Sequence, residues 1–136
     1  MIQAIYGKKG SGKTKRIIDM ANTASKENDG ALVFIDDDNR YMFDLHHEIR
    51  FVNATEYSVS SPDMFLGFLC GIISSNYDMS CLYIDGFLRL VNAQLADLGS
   101  LFERLAAIAS DHKVTVVISV SGDPESVPEF LKPYLI

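Results

Sequence analysis

A chain of 136 residues suits one domain, and 48% hydrophobic with 22% charged residues is a globular composition, outside the disordered class. A net charge of -6 argues against a protein that wraps nucleic acid non-specifically, because that task needs excess Lys and Arg to neutralise phosphates. The most apolar window, MFLGFLCGII (64–73), is too short to cross a bilayer, and no targeting segment is visible, so a cytoplasmic location with no membrane partner is expected.

IQAIY (2–6) is a short apolar strand that runs into the glycine-rich stretch GKKGSGKT (7–14). From Lys13 the pattern turns helical: Ile17, Ile18, Ala21 and Ala24 recur at three- and four-residue spacing. NDG (28–30) is read as the stop and turn of this helix. ALVFI (31–35) is a continuous apolar run, as in a strand covered on both faces. DDDNRYMFDLHHE (36–48) begins as a loop with room for a short helix, and IRFVN (49–53) reads as a weaker strand.

The window 60–77 opens with Ser61 as N-cap and Pro62 at the first helical position; its apolar interior predicts a helix buried nearly all round. CLYID (81–85) is a third strong strand. Residues 94–110 read as one helix with Leu98, Leu101, Phe102, Leu105, Ile108 and Ala109 on a stripe. VTVVISV (114–120) is the last strand, and a loop with a short tail follows. Strands alternating with helices predict an α/β fold: a three-layer α/β/α sandwich on a mostly parallel five-stranded sheet, in a single domain over 1–136. Ligands of such sheets bind where strands end, so the loops GKKGSGKT, DDDNR, DGF and SGD carry the candidate chemistry.

Gly7-Lys8-Lys9-Gly10-Ser11-Gly12-Lys13-Thr14 matches G-x-x-x-x-G-K-[ST] in full, between a strand and a helix. A loop that curls around a phosphate must turn its N–H groups inward, and glycines allow that backbone. The helix after it adds free N–H groups and the positive end of its dipole. Lys13 is then placed to reach the outer phosphates as a point charge, and the Thr14 hydroxyl to ligate Mg²⁺. Asp85, after an apolar run, is the candidate second ligand for that ion. ATP is the default nucleotide, since no NKxD guanine-recognition motif occurs. Asp36 and Asp38 are the candidate acid–base carboxylates, and Ser119 or Ser121 a phosphate sensor; the alternative is a solvated acidic turn. Cys70 and Cys81 are read as buried thiols, and His46, His47 and His112 as surface histidines without ligand spacing.

With both motifs in place the chain resembles the P-loop NTPase superfamily, in its RecA-like branch. The resemblance implies the P-loop fold, with the late VTVVISV strand inserted between the strands of the two motifs. It is similar in outline to small proteins labelled PilT-like ATPases. In the order of GKKGSGKT, DDDNRY, IDG and SGDPESVPEFLKP it is also similar to the nucleotide-binding core of cellular-type thymidine kinase. ATPases of this branch commonly place a Glu after the Asp of the second motif, where this chain has Gly86, and no zinc-holding CxxC occurs. Three functions are therefore open. The first is a Mg²⁺-ATP-binding switch with weak or partner-stimulated hydrolysis. The second is a small-molecule, nucleoside-like kinase. The third is a non-hydrolysing interaction module, its apolar helix at a homo-oligomer or protein interface. Arg40, Arg50, Arg89 and Arg104 are the conceivable arginine donors to such a site.

Overall fold

The computed structural model describes residues 1–27 and 30–136, so the turn expected at 28–30 lies largely outside the described residues. Five strands form one sheet: β1 (Ile2–Gly7), β2 (Ala31–Asp36), β3 (Arg50–Asn53), β4 (Met79–Ile84) and β5 (Thr115–Ser121). Their order is β1-β5-β4-β2-β3, and every pairing is parallel. The last strand thus lies between the strand that precedes GKKGSGKT and the strand that precedes Asp85. Parallel pairing puts all strand C-termini on one edge, and the loops from β1, β2, β4 and β5 meet there.

Helices cover both faces. Along β2 and β4, Leu32, Phe34, Cys81 and Tyr83 point to the layer holding Ile17, Ile18 and Ala21 of α1 (Lys13–Glu27). Val33, Ile35, Leu82 and Ile84 point the other way, onto α2 (Pro62–Ser75), α3 (Phe87–Val91) and α4 (Gly99–His112). This alternation follows from the period of two in a strand, and a strand apolar on both faces reads as an unbroken hydrophobic run.

The single helix expected over 94–110 is α4 preceded by a separate 3₁₀ turn, Leu95–Asp97. The sequence reading also missed α3, whose five residues are too few to display a helical period. Gly86 before it and Asn92 after it are both left-handed, with φ of 67° and 51°. Phe87 clamps α3 in place: its ring meets Phe65 of α2 edge-on at 5.4 Å and Phe102 of α4 at 5.6 Å. Such pairs contribute about 0.5–1.5 kcal/mol each beyond the area they bury.

Ser61 caps α2 as expected, its hydroxyl accepting the Met64 N–H at 3.2 Å. The expectation that α2 is buried all round is corrected. Phe65, Leu66, Leu69 and Ile73 are buried, whereas Met64, Gly67 and Gly71 are exposed, because only one side of this outer helix meets the sheet. Cys81 is buried and Cys70 half-buried on that helix; both are free thiols. The three histidines are exposed, as read. No helix among the described residues is long and apolar enough to cross a membrane.

Candidate functional site

The loop after β1 has the backbone its glycines predict. Gly10 and Gly12 adopt φ of 82° and 89°, a region that residues with a Cβ enter only at a cost. Gly7 acts differently: it ends β1, and a Cβ there would lie 2.7 Å from the Ser11 Oγ. The loop is closed by Ser11 N–H donating to Lys8 O at 3.1 Å. The first helical bond of α1 runs from Arg16 N–H to Gly12 O at 3.1 Å. The N–H groups of Lys13, Thr14 and Lys15 precede that bond and have no carbonyl within the helix to accept them. They stand at the positive end of the helix dipole, the arrangement that binds phosphate elsewhere.

Lys13 folds over this loop, its Nζ donating to Lys8 O at 2.8 Å. Burial holds its pKa below the ordinary lysine value, against the opposing pull of the Asp85 carboxylate. Lys8 and Lys9 are exposed and belong to the loop through their backbone. Thr14, in the first turn, donates its hydroxyl to Asp85 Oδ2 at 2.9 Å, across 71 residues of sequence. The other oxygen of Asp85 accepts the hydroxyl of Ser119, so the strand inserted between the two motifs holds the carboxylate from the side. Asp85 follows β4 directly, is 6% exposed, and donates its backbone N–H to Ile35 O at 2.9 Å.

One hydroxyl and one carboxylate oxygen, both rigidly held, form a donor set that suits a hard cation. Mg²⁺ is characteristically held by one or two such protein oxygens and completes its shell with phosphate oxygens and water. Thr14 and Asp85 therefore fit the ion that the sequence motifs imply.

The three acids after β2 are not equivalent. Asp36 is the last residue of the strand and is 2% exposed. Its Oδ1 accepts the Asp37 N–H at 2.7 Å, and its Oδ2 is buried with no hydrogen-bond partner among the described residues. Burial, then the neighbouring Asp37 carboxyl and the Asp85 charge, push its pKa up to about 8. Asp37 is paired in bidentate fashion with Arg89 of α3, through Nε to Oδ2 and through Nη2 to Oδ1, the latter at 3.1 Å. Burial opposes ionisation of Asp37, but the guanidinium outweighs it and holds the carboxyl below its ordinary range. Asp38 is half-buried: it accepts the backbone N–H of Arg40 at 2.9 Å and pairs with its guanidinium at 3.2 Å. Two of the acids thus carry an arginine each, and the third is buried without one.

Gly86, directly after Asp85, leaves no room for a side chain. Its φ of 67° disfavours any side chain, and a Cβ there would lie 2.6 Å from Asp37 Oδ1 and 3.1 Å from Arg89 Nη2. The Asp37–Arg89 pair occupies that space.

These groups line one cleft of about 560 Å³ along the strand-end edge, reaching from Gly10 and Lys13 past Thr14, Ser119 and Asp85 to Asp36, Arg89 and Tyr41. Of the expected site residues, Lys9, Gly10, Gly12, Lys13 and Thr14 of the loop come together with Asp85, Asp36, Asp38, Ser119 and Ser121, whereas Gly7, Lys8 and Ser11 line a second cleft beside Tyr6 and Arg16. Among the arginines, Arg40 and Arg89 reach the cleft. Arg104 instead pairs with Asp63 on α2 at 3.1 Å, and Arg50 lines a separate groove between β3 and α2. Sequence reasoning missed the Asp37–Arg89 pair, whose partners lie 52 residues apart. A scan against protein-family models gives no match for the chain, and a search of curated proteins gives none.

Proposed function

We propose that this chain is a Mg²⁺-dependent ATP-binding protein of the P-loop NTPase class, with weak or partner-stimulated hydrolysis, that works as a nucleotide-dependent switch. The observation that carries the reading is the 2.9 Å bond from Thr14 to Asp85 beside the glycine loop, which unites two sequence motifs 71 residues apart. The all-parallel sheet, with β5 between the strands of the two motifs, supports the same class.

In this reading the loop N–H groups and Lys13 bind the phosphates, and Thr14 and Asp85 hold the magnesium. Bound Mg²⁺ would neutralise charge on the outer phosphates. Asp36, buried at the far side of Asp85, has the free oxygen that a proton acceptor needs; Asp38, tied to Arg40, does not. Burial lets Asp36 hold its proton near neutral pH, which favours binding over turnover.

A small-molecule kinase is the second reading, because the cleft continues beyond Asp85 to Asp36, Arg40 and Tyr41, where an acceptor would sit. The two separate in one assay of purified protein with Mg²⁺-ATP. Slow ADP release without an acceptor supports the switch. ADP release that appears only with an added nucleoside or other alcohol supports the kinase. Absence of ATP binding contradicts both.

A further inference from the structure

We infer that Arg89 is a built-in receptor for the terminal phosphate of the nucleotide, oriented by Asp37 and admitted to the site by Gly86. The inference rests on the nucleotide reading above and adds a group that the two sequence motifs do not contain.

The argument starts with the donor inventory. A guanidinium has five N–H donors. Asp37 engages Nε and Nη2 along one edge, which uses two of them. Three donors remain, and the Arg89 side chain is still 66% exposed, whereas that of Asp37 is 14% exposed. The carboxylate therefore fixes the plane of the guanidinium from beneath and leaves its outer edge to the cleft. Arg89 lines that cleft together with Lys13 and Thr14. Asp85 and Asp36 both lie near enough to stabilise its positive charge.

The backbone that carries Arg89 is fixed. Phe87, two residues earlier, is wedged between Phe65 and Phe102, and Leu90 and Val91 are buried. An arginine on a rigid turn, held by a bidentate acid, loses little further freedom when it takes a phosphate oxygen.

The position within the cleft selects the phosphate. Lys13 would reach the outer phosphates from the loop side, and Thr14 and Asp85 would hold the cation that neutralises them. Arg89 follows Asp85 by four residues and lines the cleft from α3 rather than from the loop, so the phosphate assigned to it is the one on the Asp85 side, the terminal one. The exchange of Glu for Gly at residue 86 is then more than a loss. A carboxylate would repel the terminal phosphate and orient water. The glycine instead leaves space for a guanidinium, which attracts the phosphate. A site so altered should distinguish ATP from ADP strongly and turn over slowly.

The test compares dissociation constants for Mg²⁺-ATP and Mg²⁺-ADP by calorimetry, in wild type, Arg89→Ala, Arg89→Lys, Asp37→Asn and Lys13→Ala. Loss of a charge-assisted phosphate contact corresponds to roughly a ten- to hundred-fold weakening. Arg89→Ala should weaken ATP by that factor and move ADP by less than about threefold. Asp37→Asn keeps the arginine but loosens it, and should reduce the ATP preference by an intermediate factor. Arg89→Lys keeps charge and stem, so it folds even if the alanine variant does not, and it should recover only part of the preference because an ammonium lacks the fork. Equal weakening of ATP and ADP in Arg89→Ala, or an unchanged ATP preference in both Arg89 variants, would overturn the inference while leaving the nucleotide site intact. Normal ATP binding by Lys13→Ala, or no binding by wild type, would instead overturn the nucleotide reading and this inference with it.

Discussion

Replacing Asp36 by Asn should change how stability depends on pH more than it changes stability itself. Asp36 ordinarily titrates at 3.8 but has a pKa of about 8 in the folded chain, because it is buried beside the carboxyls of Asp37 and Asp85. Between those two values the folded state keeps a proton that the unfolded state has released. Stability must therefore fall as pH rises from near 4 to near 8, and flatten above that. The full difference sets a ceiling of about 6 kcal/mol, a large share of the ~5–15 kcal/mol that holds a typical domain. Asparagine has the shape of the protonated acid and cannot ionise, so its Oδ1 can still accept the Asp37 N–H. Urea unfolding of both proteins in EDTA, at steps from pH 5 to 8.5, measures the difference directly. The Asn variant should already be ahead by about 1–2 kcal/mol at pH 5, and its lead should widen by a few kcal/mol toward pH 8. A difference that stays constant over the range, or a variant less stable at pH 8, would refute the reasoning.

Two further substitutions probe the scaffold under the site. Gly86→Ala places a Cβ against Asp37 in a left-handed backbone, and should lower stability by about 1–3 kcal/mol in thermal or urea unfolding, with part of the loss from the displaced Asp37–Arg89 pair. Phe87→Ala removes the ring between Phe65 and Phe102, and should cost about 3–5 kcal/mol; a loss below 1 kcal/mol would show that α3 is not anchored as described.

The architecture was legible wherever periodicity ran long enough. The five strands were expected within a residue or two: burial on both faces writes β2, β4 and β5 as apolar runs, and the edge strand β3 reads correspondingly weaker. The glycine-rich loop between β1 and α1 was legible because its residues are contiguous in the chain, and the buried placement of Asp85 because it follows a buried strand. The other half of the site was not. Nothing in DDD tells which acid points inward; that is settled by β2 lying between β4 and β3, so that its last residue is enclosed. The Asp37–Arg89 pair spans 52 residues and has no spacing to betray it. The outer face of α2 was misjudged for a related reason: apolar content measures what a helix can bury, and the layer it occupies decides how much it does.

The central claim is that the loop from Gly7 to Thr14 and Asp85 form one Mg²⁺-ATP site. Calorimetric titration of Mg²⁺-ATP into wild type, Lys13→Ala and Asp85→Asn tests it most directly. The account predicts one ATP per chain for wild type, loss of binding in Lys13→Ala, and loss of the magnesium enhancement in Asp85→Asn. Wild-type affinity retained in Lys13→Ala, or no ATP bound by wild type at all, would contradict it.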